Sequence, residues 1–235
     1  MTFLHGTTAR FYYHTLDMSM YAEQIVLDLS VATAEYRPIG GTSVVRVAGH
    51  RDARLSLTGG AFATPNQALV WDVFKDNRAL PWVLLPAGDA LGRMAQCGVS
   101  LGDNHQYTAG DDVVRLPLAL LGSDEVDIGV VLRALAAGGV SPGSAVNNGS
   151  ATANGGIAYL ICTAMSGTLP ELDVVVEHSV NGVDAWETLV AMTTLTAAGS
   201  EAKAVSGAVR QYLRASWTLT DTDPAATWFL AFCRR

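Results

Sequence analysis

The chain has 235 residues, enough for one large β domain or two small ones. It is 49% hydrophobic and only 16% charged, against about 25% charged in an average domain; so little charge points to a surface partly buried against neighbouring chains, the alternative being a monomer whose hydrophobic share is inflated by small alanine and glycine residues. With a net charge of -7 and only two lysines, Lys75 and Lys203, it lacks the clustered basic footprint that nucleic-acid binding needs.

The opening residues 1–6 carry no charged leader, so no secretory signal is expected. No apolar run approaches the ~20 residues of a membrane span. Synthesis and retention in the cytoplasm, without membrane insertion, is the expectation. Residues 2–12 read as an arm with Phe3, Leu4, Phe11 and Tyr12 but no core of its own.

Residues 25–32 alternate. Ile25, Leu27, Leu29 and Val31 share one face, and Asp28 and Ser30 the other, the period of a half-buried strand. Shorter strands are expected at 44–47 and 53–57, with Gly40-Gly41 and Gly59-Gly60 as breaks. Thr64-Pro65-Asn66-Gln67 then forms a capping box with proline at the first helical position, so a helix is expected near 65–77.

Strands resume at 82–85, 96–101 and 112–121. Segment 126–137 reads as a strand, because Gly129 and the pair Val130-Val131 weaken a helix there. Residues 138–156 hold almost no bulky apolar side chain and read as a linker or long loop. Further strands are expected at 157–164, 172–178, 186–192, 202–205, 212–219 and 228–232, with Asn181-Gly182 as a hairpin-type turn. Turn signals every eight to twelve residues or so suit a β-sandwich.

Residues suited to catalysis are scattered. Gly139-Val140-Ser141-Pro142-Gly143 matches the nucleophile-elbow spacing, but the motif needs a strand before the serine and a helix after it, and Pro142 and the polar flanks oppose that. His5, His14, His50, His105 and His178 show no metal-ligand spacing. Cys97, Cys162 and Cys233 are odd in number and widely spaced, so buried free thiols are expected. Asp124, Glu125 and Asp127 lack the calcium-loop pattern. No cofactor, no metal and no enzymatic activity are expected.

Residues 17–60 resemble the opening of major tail tube proteins from phages with long non-contractile tails. The resemblance rests on Asp28-Leu29-Ser30-Val31-Ala32-Thr33-Ala34-Glu35, on Pro38-Ile39-Gly40-Gly41, and on the segment from Val47 to Gly59, in which Ala48 and His50 replace the family's usual proline and leucine. Residues 157–235 resemble the second half of similar tail proteins through Glu177 to Gly182, Trp186, Gly207, Arg210, Tyr212 to Ala215, and Trp217.

The resemblance implies an all-β fold with one flanking helix: a tail-tube-type β-sandwich or barrel over 1–125, then a second β-sandwich over 126–235. It implies a structural subunit of a virion tail, whose partners are copies of itself in stacked hexameric rings and other phage tail proteins. Genomic DNA would pass through the lumen without sequence-specific binding. Phe3, Leu4, Phe11, Tyr12, Gly40 and Gly41 are the expected inter-ring contacts. The competing expectation is a carbohydrate-binding tail-tip or capsid-surface decoration protein, suggested by Ser179, Asn181, Gly182 and Trp186.

Overall fold

A computed structural model describes residues 8–19, 21–37, 39, 43–58, 78–106, 117–123 and 125–235. The expected helix at 65–77 lies outside them. So do Phe3, Leu4, Gly40 and Gly41, and residues 112–116 of one expected strand. The described chain is built of antiparallel strands: β1 (Arg10–Tyr13), β2 (Leu16–Asp17), β3 (Gln24–Tyr36), β4 (Val45–Thr58), β5 (Leu80–Leu85), β6 (Met94–His105), β7 (Leu118–Gly122) and β8 (Asp127–Ala137). β9 (Val146–Asn147), β10 (Gly156–Ser166), β11 (Glu171–Ser179), β12 (Glu187–Ala191), β13 (Gly199–Val205), β14 (Tyr212–Thr220) and β15 (Ala225–Arg234) follow. The all-β class expected from the alternation holds, and among the described residues no sheet closes into a barrel.

Two compact units form. The first takes residues 1–20, 80–98 and 127–235, and the second takes 21–79 and 99–126. Residues 80–98, which the sequence groups with the first half of the chain, therefore cluster with 127–235. The pairing of Met94 to Cys97 on β6 with β8, and of β1 with β5, accounts for that grouping.

In the first unit one sheet runs in the order β13-β10-β15-β8-β6-β5-β1-β2, and a second in the order β12-β11-β14-β9. β15 is covered on both faces. Trp228, Leu230 and Phe232 enter a core shared with Leu160 of β10, Val174 and Val176 of β11, and Leu213 and Ala215 of β14. Phe229, Ala231 and Cys233 face the other way and are equally buried, and Tyr12 of β1 tilts onto Phe229 with ring centroids 5.2 Å apart. A strand buried on both faces reads as a near-continuous apolar run, which is how Trp228-Phe229-Leu230-Ala231-Phe232-Cys233 reads.

Gly129 shows what this packing demands of the backbone. A Cβ there would lie 2.1 Å from the Phe232 carbonyl oxygen. The residue that weakens a helix in the sequence is thus the one that lets β8 and β15 meet.

The segment 138–156, expected as a linker or long loop, is a strap laid along β14. The Trp217 N–H donates to Ser141 Oγ at 2.8 Å, Gly143 N–H to Ala215 O at 2.8 Å, and Asn148 N–H to Gln211 O at 2.9 Å. β9 adds a short ladder to β14 that the sequence did not announce. Arg133 clamps its start. This buried guanidinium donates to the carbonyls of Ala134, Ala136, Trp228 and Gly138 and lies 4.0 Å over the Trp228 ring and 5.0 Å over that of Trp217. Its pKa is lowered to about 10 by burial. The strap orders itself through backbone hydrogen bonds and one cation, with little apolar burial of its own.

In the second unit the order is β3-β4-β7, with Ser100 to His105 of β6 beside β7. The two short strands expected at 44–47 and 53–57 are one strand, β4, because β3 pairs along its whole length and a bulge opposite Val31 and Thr33 absorbs the irregular stretch. Ala53, Leu55, Leu57, Leu118 and Leu120 form its buried face.

Phe11 and Tyr12 are 0% and 1% exposed, so the N-terminal arm does have a core of its own from β1 onward. Phe11→Ala is expected to cost about 3–5 kcal/mol of stability, read from urea unfolding of the purified chain. Deleting residues 2–12 should leave no folded monomer, visible as loss of the cooperative transition.

Candidate functional site

Two surfaces carry the exposed chemistry. The first is on the β3–β4 hairpin. β3 pairs only with β4 among the described residues, so its outer row of backbone donors and acceptors faces away from any described strand. Its apolar face follows the expected alternation. Ile25 pairs with Leu57, Leu27 with Leu55, and Leu29 with Ala53. Across that register burial falls away: Leu55 is 1% exposed, but Leu29 is 58% and Val31 49%. On β3 the face is half-buried at Ile25 and Leu27 and exposed at Leu29 and Val31. A long, exposed, apolar edge strand is a template for pairing with another chain.

At this end lies a hollow of about 260 Å³ lined by Leu29, Ser30, Val31, Arg51, Asp52, Ala53, Glu125 and Val126. Arg51 and Glu125 pair across its rim at 3.4 Å. Arg46 with Glu35 at 2.5 Å and Arg54 with Asp103 at 2.9 Å lie elsewhere on the same unit. Exposed pairs of this kind contribute at most about 1 kcal/mol each, so they set the charge of the surface more than its stability.

The second surface is the outer face of the sheet β12-β11-β14-β9. Arg214 Nε donates to Glu177 at 2.6 Å, and its guanidinium lies 4.1 Å over the Trp186 ring. Trp186 Nε1–H donates to Val183 O at 3.3 Å. The loop 180–186 is longer than the two-residue hairpin turn expected at Asn181-Gly182. Ser179 Oγ donates to Asp184 O at 2.7 Å and accepts the N–H groups of Asn181 and Gly182 at 3.2 Å each. Asn181 Nδ2 reaches Asp184 at 2.6 Å. A Cβ on Gly182, whose φ is +73°, would lie 2.7 Å from the Tyr212 ring. The structure thus brings Ser179, Asn181, Gly182 and Trp186 together, but as a self-satisfied loop with one indole face already covered by Arg214.

Elsewhere the functional candidates resolve into packing. Ser141 is tied to the Trp217 backbone on the strap, and the next element after it is β9, with no helix behind the serine. Cys97, Cys162 and Cys233 are free and buried, as expected, and burial pushes the Cys97 and Cys162 thiols up. The buried Asp127 accepts from Tyr159 at 2.8 Å and from Arg235 at 3.1 Å, which anchors β8. His14 Nδ1 lies 2.7 Å from Ser200 Oγ, at the β1–β2 turn. Among the described residues, no three His, Cys, Asp or Glu groups gather as a metal site, and no helix is long and apolar enough to cross a membrane. Of the expected inter-ring contacts, Phe11 and Tyr12 are inside the first unit. The exposure of Leu29 and Val31 was not anticipated, although their alternation was plain.

No family model matches the sequence, and no curated protein matches it. Solved structures with partial likeness include the tail of an empty gene transfer agent particle, refined with C6 symmetry (12% identity, 52% of this chain and 96% of that one, TM-score 0.43). A sheath-tube complex of an extracellular contractile injection system matches at 15% identity over 55% of this chain and 92% of that one, with a TM-score of 0.43. The SPP1 Dit protein, a hub of the adsorption apparatus in phages infecting Gram-positive hosts, matches at 11% identity over 96% of this chain and 99% of that one, with a TM-score of 0.37.

His178 gives the first unit a pH dependence. Its Nδ1 accepts the Arg210 N–H at 3.3 Å, and burial, with the Arg210 charge, lowers its pKa. An unfolded chain takes up the proton near the ordinary value of about 6.5, whereas the folded chain resists it. Stability is therefore full above that value and is lost as pH falls below it toward the folded pKa. His178→Asn, which keeps an acceptor but cannot titrate, should flatten this loss, measured as the wild-type minus variant difference in melting temperature at pH 7 and pH 5.

Proposed function

We propose that this chain is a non-enzymatic structural subunit of a phage tail, whose copies join through the outer edge of β3 into rings that stack around a DNA conduit. The observation that carries the reading is the edge itself: thirteen residues, Gln24–Tyr36, with a single strand partner among the described residues and Val26, Leu29 and Val31 exposed on it. Natural sheets blunt such edges with lysine, proline or short strands. β3 is long and has no lysine or proline; its charged residues are Asp28 and Glu35, and its ladder with β4 has one irregularity, at Val31/Thr33. Backbone pairing by an incoming strand would satisfy the outer row, and apolar contact beside it would add affinity.

The resemblance of residues 17–60 and 157–235 to tail tube proteins supports the tail assignment, and six copies per ring is the closure that resemblance implies. The low charge content supports extensive burial between subunits. A net charge of -7 suits a conduit that repels DNA phosphates and lets the strand slide. The virion tail is the corresponding location.

Purified chain at high concentration should form rings or hollow tubes under negative-stain microscopy. Val26→Lys combined with Ala32→Lys puts two cations on exposed positions of the edge and should give a monomer by light scattering, with a melting temperature within a few degrees of wild type. A wild-type chain that stays monomeric at every concentration, or a double variant that assembles normally, overturns the reading.

A further inference from the structure

At the end of β15 the loop 148–155 folds back along the strand. Arg235 N–H donates to Gly155 O at 3.2 Å, Thr152 Oγ1 to Arg235 O at 3.1 Å, and Asn154 N–H to Thr152 Oγ1 at 3.2 Å. Thr152 and Val209 exchange backbone hydrogen bonds at 3.0 and 2.8 Å, which holds the loop from its other side. Two side-chain donors end at this corner. Arg234 Nη2 and Asn148 Nδ2 are both buried and, among the described residues, neither has a hydrogen-bond partner. Gly149 links them: it follows Asn148 in the chain, and a Cβ on it would lie 3.7 Å from Arg234 Nη2.

A buried donor without an acceptor is costly, and a charged one more so. Other arginines of this unit show the usual remedy. Arg133 has its carbonyls, Arg210 has Glu187, Arg214 has Glu177 and Arg235 has Asp127. Asp127, the carboxylate paired with the next residue along, is held by Tyr159 as well. Burial lowers the pKa of Arg234, so this guanidinium has given up water for the corner.

We propose that Arg234 Nη2 and Asn148 Nδ2 together bind a small oxyanion, a phosphate or a carboxylate, beside the loop 148–155. Water supplies an oxygen to each donor but no charge to the guanidinium. An oxyanion supplies both, and a guanidinium pairs with carboxylate and phosphate alike. Gly149, Ser150 and Ala151 are exposed, so the corner opens on solvent. The site lies wholly within the first unit and stands apart from any contact made by β3.

Thermal melting of the full-length chain tests it. Millimolar sodium phosphate and sodium acetate are each compared with sodium chloride at equal ionic strength. One or both should raise the melting temperature of the wild type by about 2–4 °C, in a saturable way. A rise with phosphate alone identifies a tetrahedral anion, and a rise with acetate too identifies carboxylate chemistry. Arg234→Met keeps the apolar stem, removes the charge and should lose the response. Asn148→Asp sets a carboxylate beside the guanidinium, so it should melt above wild type in chloride and respond to neither anion. No rise in the wild type overturns the site, as does a rise that persists in Arg234→Met. Should Arg234→Met fail to fold, an undiminished response in Asn148→Asp overturns it equally.

Discussion

A chain made of strands cannot satisfy its backbone within any one element, so every hydrogen-bonding row must find a partner strand, a strap or another molecule. That constraint organises the first unit. β15 sits between β10 and β8 and uses both its rows. β14 has β11 on one side and, on the other, the short β9 and the strap of residues 141–152. In the second unit β4 is paired on both sides, by β3 and β7. Among the described residues β3, like β13, β2 and β12, has a partner strand on one side only, and it is the longest of these edges.

The buried side chains follow from the same arrangement. β15 is flanked and covered on two faces, so Trp228, Leu230 and Phe232 serve one core while Phe229, Ala231 and Cys233 serve another. Close packing of this kind leaves no room at the crossing of β8 and β15, which is why a glycine stands at 129. Arg133 pays for its burial with four carbonyl acceptors and two indole rings, and in doing so fixes the start of a segment whose one side chain in the core cluster before β10 is Val146.

Much of this was legible in the sequence. The alternation of Ile25, Leu27, Leu29 and Val31 gave the face of β3, because a strand with one covered face has period two. The apolar run at 228–232 gave a strand, though not its two cores, since full burial erases the alternation. The strap was illegible because its order comes from backbone hydrogen bonds and a distant guanidinium, neither of which leaves a compositional trace. Phe11 and Tyr12 were misjudged for a related reason. Four residues of strand look like a tail until β5, seventy residues on, is placed beside them. The hairpin edge was legible as a strand, but its exposure was not, because the pattern that marks an apolar face does not say how far its cover extends.

The order in which the chain threads its units bears on how it is made. β15 is made after every other strand of its sheet, yet it lies in the middle of that sheet, hydrogen-bonded on both sides. Until it arrives, β10 and β8 have nothing between them and neither core is complete. Nascent chains therefore emerge with the first unit unfinished while residues 21–79 and 99–126 are already outside. Folding of that unit must wait until β15 has been made and then form contacts far apart in sequence, the slow kind. During that interval neighbouring nascent chains on one polysome hold the β3 edge at high local density, the condition under which an unpaired strand misassociates.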